Sequence, residues 1–342
     1  METGSKNKKV TIGEIANLSG VSKTTVSRIL SGKADLVKKE TREKVLKTIK
    51  EKNYRPSIIA RSLRTKKTKA IGLILADIEN PFYSRVAKGV IDTAEQLNYT
   101  VIISNSNYDQ RTEEKLLDTL VSRQVEGLLF TTINLGDKIV DSLRRLRVPF
   151  MLVDGRADHE DINYITNDNY YGGRLAAEYL ISMGHTRIGF VGSDKICSLK
   201  ERYRGFKDTL RLNGLEFNIR VKIKNILDSE ELKSKVRELV SRNKISAFFA
   251  GNDHIAIEVL NFVTSELGLN IPNDLSIVGY DNIKVSSVVR VPLTTIKQPK
   301  YSMGKMALEQ LVEILKSENI YSTRKIILKP ELVVRESVKS LV

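Results

Sequence analysis

The side chains best suited to a chemical task in this chain are Lys23, Thr24 and Arg28. They belong to VTIGEIANLSGVSKTTVSRIL, residues 10–30, where two short helical patterns flank the turn at 19–21. Cationic and hydroxyl side chains near the start of the second helix are what a helix-turn-helix presents to base edges in the DNA major groove. The spacing therefore predicts that this segment reads DNA.

Three short helices are predicted to position these side chains. Thr11 and Glu14 form a capping-box pattern, and Gly20 suits the positive φ of the turn. Ser22 is a suitable N-cap for the second helix, and a third helix spans roughly residues 39–52. The apolar residues at helical spacing predict one small core, formed by Ile12, Ile15, Ala16, Leu18, Val26, Ile29, Leu30, Val45, Leu46 and Ile49.

Nearly all of the net charge of +15 belongs to the first fifth of the chain. Residues 1–69 contain 19 Lys or Arg and 6 Asp or Glu, a net of +13, whereas the other 273 residues contain 37 and 35, a net of +2. Because the basic residues alternate with apolar ones at helical spacing, a folded basic domain is favoured over a solvated tail. Such a domain suits a polyanionic partner.

The composition also limits the other function classes. At 342 residues with 41% apolar content, the chain suits two or three globular domains. We expect no membrane span and no signal peptide, because no long apolar window is present. The single cysteine, Cys197, suits a reducing cytoplasm. No catalytic triad, phosphate loop or metal-ligand spacing appears, so we expect no enzyme, cofactor or metal.

After residue 70, short apolar runs alternate with helical patterns such as 84–97 and 253–267, and this alternation predicts parallel sheets. The same rhythm in both halves indicates an α/β core of two similar lobes. The predicted strands are 70–76, 100–105, 127–132, 149–154, 187–192, 246–251 and 275–281.

Residues at the ends of these strands are candidates for a small-molecule cleft, because ligands of such folds bind beyond the carboxyl ends of the strands. The candidates are Asp77, Phe82, Thr131, Asp154, Asp168, Arg202, Asn252, Asp253, Asp281 and Gln298. Alternatives stay open: Asp281 caps a turn, Asp253 caps a helix, or Phe82 packs in a core or a dimer interface. Lys195 and Lys200 favour an acidic or phosphorylated ligand, or belong to a solvated loop.

The chain resembles the LacI/GalR family of bacterial transcription repressors along essentially its full length. Besides residues 10–30, the motifs that carry the resemblance are NYRPSIIARSLRT, IGLILADIENPFY, GHTRIGFVG, ERYRGF, GNDHIA, IPNDLSIVGYDN and LTTIKQP. The resemblance implies a helix-turn-helix headpiece, a hinge helix, and a periplasmic-binding-protein-like core whose chain passes between the lobes three times.

The predicted domain organisation combines these patterns with the resemblance. We expect a disordered tail at 1–9 and a headpiece at 10–55. A hinge helix with its linker is expected at 56–69, and the core at 70–342. The resemblance implies discontinuous lobes, the first at about 70–166 plus 298–327 and the second at about 167–297 plus 328–342.

The resemblance also implies roles at the DNA end. Lys23, Thr24 and Arg28 fall where the family reads bases; the alternative for Arg28 is an exposed surface arginine without a DNA contact. In the family a hinge leucine, here Leu63, wedges into the minor groove, and Arg64 lies beside it; the alternative is that Leu63 packs on the core. Phosphate contacts are expected from Thr11, Ser22, Thr25 and Ser31.

At the sensing end, the resemblance makes Arg202 and Asp281 the best effector contacts. The implied function is a repressor of a pseudo-palindromic operator, switched by a sugar, sugar acid or sugar phosphate. Alternatives are a global carbon-catabolite regulator controlled by a protein corepressor, and a solute-binding protein. We expect a homodimer, because the C-terminus is too short for a tetramerising coiled coil. We expect a cytoplasmic location, which the single cysteine suits. Val86, Val90 and Ala94 offer an interface face, or pack in the core.

Overall fold

Two compact units, divided after Thr68, make up the computed structural model of the chain. The predicted tail at 1–9, almost all of the predicted hinge, and Ser31, Leu63 and Arg64 lie outside the described residues. The residues that the structure describes are 10–30, 35, 37–54, 67–131, 137–145, 148–156, 159–193, 195–215, 219–223, 228–243, 245–317 and 323–342.

The first unit contains helices α1 (Ile12–Ser19), α2 (Lys23–Leu30) and α3 (Lys39–Glu51). The predicted capping box is confirmed, since the Glu14 amide donates to Thr11 Oγ1 over 3.3 Å and the Thr11 amide donates to Glu14 Oε2 over 2.7 Å. Gly20 ends α1 with a φ of 70°, as the turn requires.

The core of this unit is smaller than the apolar pattern predicts. Its buried residues are Ile15, Ala16, Val26, Ile29 and Val45, while Ile12, Leu30 and Ile49 pack around them. The prediction is wrong for Leu18 and Leu46, which are 54% and 44% exposed. Each follows or precedes a buried residue by one position, which turns it about 100° away from the core side of its helix.

A six-stranded parallel sheet, which defines the first lobe, has the order β11-β5-β4-β3-β1-β2. Its strands are β1 (Ala70–Leu75), β2 (Thr100–Asn105), β3 (Gly127–Phe130), β4 (Phe150–Val153), β5 (Tyr164–Asn167) and β11 (Lys325–Leu328). Its helices are α4 (Pro81–Gln96), α5 (Gln110–Ser122), α6 (Asp137–Arg145) and α11 (Lys300–Lys316).

A second six-stranded sheet, which defines the second lobe, has the order β12-β10-β9-β8-β6-β7 and is parallel except for β12. Its strands are β6 (Ile188–Gly192), β7 (Ile219–Lys222), β8 (Ala247–Ala250), β9 (Ser276–Asp281), β10 (Thr294–Lys297) and β12 (Glu331–Val333). Its helices are α7 (Asn169–Ser182), α8 (Cys197–Leu212), α9 (Ser229–Asn243) and α10 (Asp253–Ser265).

The chain passes between the two sheets after β5, after β10 and between β11 and β12. The predicted α/β class with parallel sheets is confirmed. The residue limits that we assign to the domains and lobes stay a prediction. Within the described ranges, no helix combines the length and apolar character needed to cross a membrane.

Close helix crossings through glycines stabilise each lobe. In the second lobe, a Cβ on Gly173 of α7 would lie 1.9 Å from the carbonyl oxygen of Arg202 on α8, and Gly205 of α8 approaches α7 equally closely. Gly89 and Gly304 bring α4 and α11 together in the same way in the first lobe. The α7–α8 crossing fixes the backbone that carries Arg202.

The side chains of α4 that were predicted to form an interface face point into the protein. Val86, Val90 and Ala94 are at most 2% exposed and belong to the core of the first lobe, so they cannot form an interface. Their alternative assignment, core packing, is the correct one. Ile91 on the opposite side of α4 is 40% exposed.

Candidate functional site

The start of α2 presents the predicted base-reading side chains. Lys23, Thr24 and Arg28 are all exposed, and Thr24 and Arg28 lie one helical turn apart on the same face. The Lys23 side chain passes close to Gly13 of α1, where an added Cβ would lie 3.1 Å from Lys23 Cε. The geometry is therefore that of two packed helices with a polar, partly cationic edge open to a ligand.

The hydroxyl groups predicted to contact phosphates also hold the helix ends. Ser22 Oγ accepts a hydrogen bond of 3.1 Å from the Thr25 amide and lies 2.9 Å from Thr25 Oγ1. Thr11 caps α1 and is exposed. These residues stand at helix N-termini, where amide groups favour anions, so their positions suit phosphate contact.

A cavity between the two lobes, here called the cleft, has an empty volume of about 280 Å³, part of which is open to solvent. Both lobes contribute both polar and apolar side chains to its walls. The lining residues are Asn80, Phe82, Tyr83, Tyr108 and Asp154 from the first lobe, and Ile196, Ser198, Leu199, Arg202, Asn252 and Asp281 from the second. Five of the ten predicted effector contacts therefore meet at one place.

Arg202 lies at the base of the cleft and is only 3% exposed. Its Nε donates to Asn169 Oδ1 over 2.8 Å, and its Nη1 donates to the carbonyl of Gly251 over 2.7 Å. Its guanidinium stacks 3.7 Å from the ring centre of Tyr280, and Nη1 lies 3.7 Å from Asp281 Oδ1. A buried cation needs such compensation, and these partners fix its orientation.

Asp281 occupies a strained position at the end of β9. Its φ is 116°, outside the range that non-glycine residues usually adopt, and Asn282 follows with a φ of 51°. The ammonium of Lys300 donates to the carbonyl oxygens of both residues. Burial raises the pKa of Asp281, although Arg202 and then Lys300 oppose this.

A hydrogen-bonded chain connects Asp281 to two places where the polypeptide changes lobes. Gln298 Nε2 donates to Asp281 Oδ1 over 2.5 Å, and Asn167 Nδ2 donates to Gln298 Oε1. Asn167 ends β5, and Gln298 directly follows β10. Gln298, predicted as an effector contact, is buried behind Asp281 and does not line the cleft.

Asp154 faces Arg202 and Asp281 from the first lobe. It is 8% exposed, has a φ of 57°, and no described residue is hydrogen-bonded to its Oδ1. Burial is the main cause that raises the pKa of Asp154 to about 7, with Arg202 opposing and Asp281 adding to it. A buried acceptor without a partner is a group that a ligand can satisfy.

Four other predicted contacts lie outside the cleft, where their oxygens accept hydrogen bonds from backbone amides. Thr131 accepts from Ala76, and Asp77 accepts from Glu79. Asp168 is the N-cap of α7 and accepts from Tyr171. Asp253 accepts from Ile283 and from the Thr295 hydroxyl, so it connects α10 to the neighbouring strand ends rather than capping its own helix.

Cleft residues that the sequence did not single out include Asn80, Tyr83 and Tyr108. Asn80 is the N-cap of α4, and the Asn-Pro that starts this helix was a usable signal for it. The rings of Tyr83 and Tyr108 lie 6.4 Å apart, and burial raises the pKa of both phenols, which therefore remain neutral donors. Nothing in the local sequence marked Tyr108.

Among the described residues, no three His, Cys, Asp or Glu side chains group as a metal site. The cleft combines aromatic walls with one guanidinium and two carboxylates. This arrangement is suited to holding a small polar molecule by hydrogen bonds.

Comparisons with known proteins find relatives of both the N-terminal helices and the two-lobed core. Residues 11–57 match the family of bacterial regulatory proteins, lacI family, and residues 177–338 match the periplasmic binding protein-like domain. Catabolite control protein A of Priestia megaterium is 34% identical over 92% of this chain and 95% of its own length. The ribose operon repressor of Haemophilus influenzae is 34% identical over 97% of this chain and 99% of its own length.

Solved structures give the same result. The lac repressor dimer bound to operator and the anti-inducer ONPF has a TM-score of 0.86 and 27% identity over 97% of this chain and all of that one. A LacI family regulator from Enterococcus faecium with bound ribose has a TM-score of 0.71 and 26% identity over 80% of this chain and all of that one. The chain belongs to the LacI family of bacterial regulatory proteins.

Proposed function

We propose that the chain is a sequence-specific DNA-binding transcriptional repressor whose affinity for its operator is switched by a small molecule in the cleft. The observation that carries this proposal is the cleft itself, where Asp154 of one lobe faces Arg202 and Asp281 of the other. A ligand that binds both faces favours one arrangement of the lobes. Family membership supports a regulator rather than an enzyme.

At the DNA end, Lys23, Thr24 and Arg28 read bases, and Thr11, Ser22 and Thr25 position the protein on phosphates. Arg28 supports specificity if it binds guanine O6 and N7 in a bidentate manner. Leu63, with Arg64 beside it, serves as the minor-groove wedge, and Ser31 adds a phosphate contact. A Leu63→Ala variant is expected to fold normally and to lose operator affinity; unchanged affinity would contradict the wedge.

The effector is a sugar or a sugar derivative. The ribose operon repressor and the regulator with bound ribose support this class, because both align with most of this chain. Aromatic side chains beside hydroxyl-binding Asp and Asn side chains are a suitable lining for a sugar.

We further propose a homodimer that reads a pseudo-palindrome, as two-fold symmetry favours. The lac repressor dimer on its operator supports this assembly. Ile91 on α4 and Ile103 on edge strand β2 are 40% and 37% exposed and suit the dimer face. Because its operator is genomic DNA, the protein acts in the bacterial cytoplasm.

The test is a gel-shift titration on an operator selected from a random duplex library, with and without candidate sugars. A sugar that changes the operator affinity supports the proposal. A response to a phosphorylated partner protein alone would favour the carbon-catabolite alternative. Failure to select any duplex would contradict the DNA-binding role.

A further inference from the structure

The charges that line the cleft are unbalanced toward the negative side. Asp154 and Asp281 face a single guanidinium, Arg202, and no other charged side chain lines the cavity among the described residues. Both carboxylates are at most 8% exposed, so water screens them weakly. Above the pKa of about 7 that burial gives Asp154, a ligand therefore enters a buried site with two carboxylates and one guanidinium.

The single cation is partly engaged. Two of its five N–H groups donate to Asn169 and to the Gly251 carbonyl, its face covers Tyr280, and Asp281 lies 3.7 Å away. A ligand carboxylate or phosphate on the remaining N–H groups of Arg202 would lie close to the Asp281 carboxylate, which repels it. Burying an anion without a dedicated partner is costly.

The neighbouring cavity does not supply the missing positive charge. It shares Asp154 and Ser198 with the cleft, so a longer ligand would extend into it. Apart from the shared Asp154, its charged lining residues are two cations, Arg156 and Arg204, and two anions, Asp168 and Glu201, so it adds no net positive charge, and Arg204 pairs with Glu201 over 2.8 Å. Lys195 and Lys200, which the sequence offered for an acidic ligand, are exposed and line neither cavity.

Asp154 favours the binding of a ligand hydroxyl group. Its Oδ1 is buried and accepts no hydrogen bond from any described residue, so it gains a partner when a hydroxyl group enters the cleft. The aromatic rings of Phe82 and Tyr83, packed edge to face at 5.0 Å, form a wall for the carbon side of a sugar ring. Hydroxyl donors fit this site and oxyanions do not.

From these observations we propose that the effector is an uncharged sugar, held through a hydroxyl group on Asp154, and that the cleft rejects the corresponding sugar acids and sugar phosphates. This inference rests on the sugar-effector role proposed above and restricts it to one chemical class.

Thermal shift and titration calorimetry on the full chain at pH 8 test the proposal with two matched series. The probes are ribose, ribonate and ribose 5-phosphate, and glucose, gluconate and glucose 6-phosphate. In the series that binds, we expect the neutral sugar to bind at least about tenfold more tightly than its acid or phosphate. An acid or phosphate that binds better than its parent would overturn the inference and leave the sugar-effector role standing.

The variant Asp154→Asn removes one negative charge with little change of shape. We expect this variant to bind the neutral sugar about tenfold more weakly and to show a smaller difference in affinity between the neutral sugar and its acid. Asp118→Asn, at an exposed position on α5, is the matched control and should keep both affinities. An unchanged gap in Asp154→Asn would refute the role of this carboxylate. If no probe binds in either series, both the sugar-effector role and this inference fail.

Discussion

The α7–α8 crossing gives the most direct perturbation of the cleft without touching a cleft side chain. An alanine at Gly173 would place its Cβ 1.9 Å from the Arg202 carbonyl oxygen, whereas Cβ contacts below 3.0 Å are essentially never seen. The two helices must therefore separate by about 1.1 Å. Both atoms belong to helical backbone or are attached directly to it, so no side chain can move aside.

This separation has two measurable consequences. The bond between Arg202 Nε and Asn169 Oδ1, now 2.8 Å, would lengthen to about 3.9 Å and break, because Asn169 belongs to α7 and Arg202 to α8. Overpacking of this kind costs about 1–3 kcal/mol of folding free energy, and each kcal/mol lowers Tm by about 2–4 °C. Loss of a charged hydrogen bond predicts sugar affinity about tenfold weaker or more.

The control is Gly72→Ala in β1, where the Cβ would lie 2.6 Å from Leu128 Cδ2 and 2.9 Å from Leu120 Cδ1. It should also lose stability but keep sugar affinity within about threefold, because Leu120 and Leu128 belong to the core of the first lobe and do not line the cleft. Thermal unfolding and calorimetry measure both quantities. Wild-type Tm and wild-type affinity in Gly173→Ala would refute the reasoning, and equal losses of affinity in both variants would show that the crossing does not position Arg202.

Three further predictions concern the DNA end, the pH dependence and the assembly. Arg28→Ala should weaken operator binding by about 1–3 kcal/mol in a gel-shift titration and relax specificity at one base pair, whereas exposed Lys47→Ala should not change specificity. Burial lowers the pKa of His185, so its stabilising contribution is complete above the ordinary value near 6.5 and is lost as the pH falls from that value through the lowered pKa of the folded state. Denaturant unfolding from pH 8 to 5 should therefore show a smaller loss of stability in His185→Asn than in the wild type. Ile91→Glu should shift the sedimentation of the full chain toward monomer, and a wild-type profile would place the dimer face elsewhere.

The sequence predicted the interior of each sheet better than its margins. All seven predicted strands are present, and six of them lie inside a sheet, where strands are continuous apolar runs. The seventh, β2, is an edge strand whose middle residues are apolar all the same. The missed strands are β5, β7, β10, β11 and β12. Three of them are sheet edges and the other two are next to an edge, so their short sequences mix polar and apolar residues.

The cleft could be predicted only in part for a similar reason. Arg202 lies in α8 and was singled out by the family resemblance. Strand-end logic placed Asp154 and Asp281 at one site because parallel strands end on the same side of a sheet. It could not separate them from Thr131 or Asp253, whose side chains accept hydrogen bonds from adjacent loops. That distinction depends on the spatial arrangement of neighbouring strand ends, which no local pattern encodes.

The position of Asp281 explains how a ligand in the cleft can act on the whole core. Its carboxylate faces the cleft, while Gln298 and Asn167 connect the same carboxylate to two of the passages between the lobes. A ligand hydroxyl on Asp281 competes with Gln298 for one buried acceptor. Because a ligand shifts an equilibrium only by its differential affinity for two states, this competition is a direct source of that difference. We infer that the strained backbone at Asp281 and Asn282 carries the change from the second lobe to the first, because Lys300 at the start of α11 donates to both carbonyl oxygens.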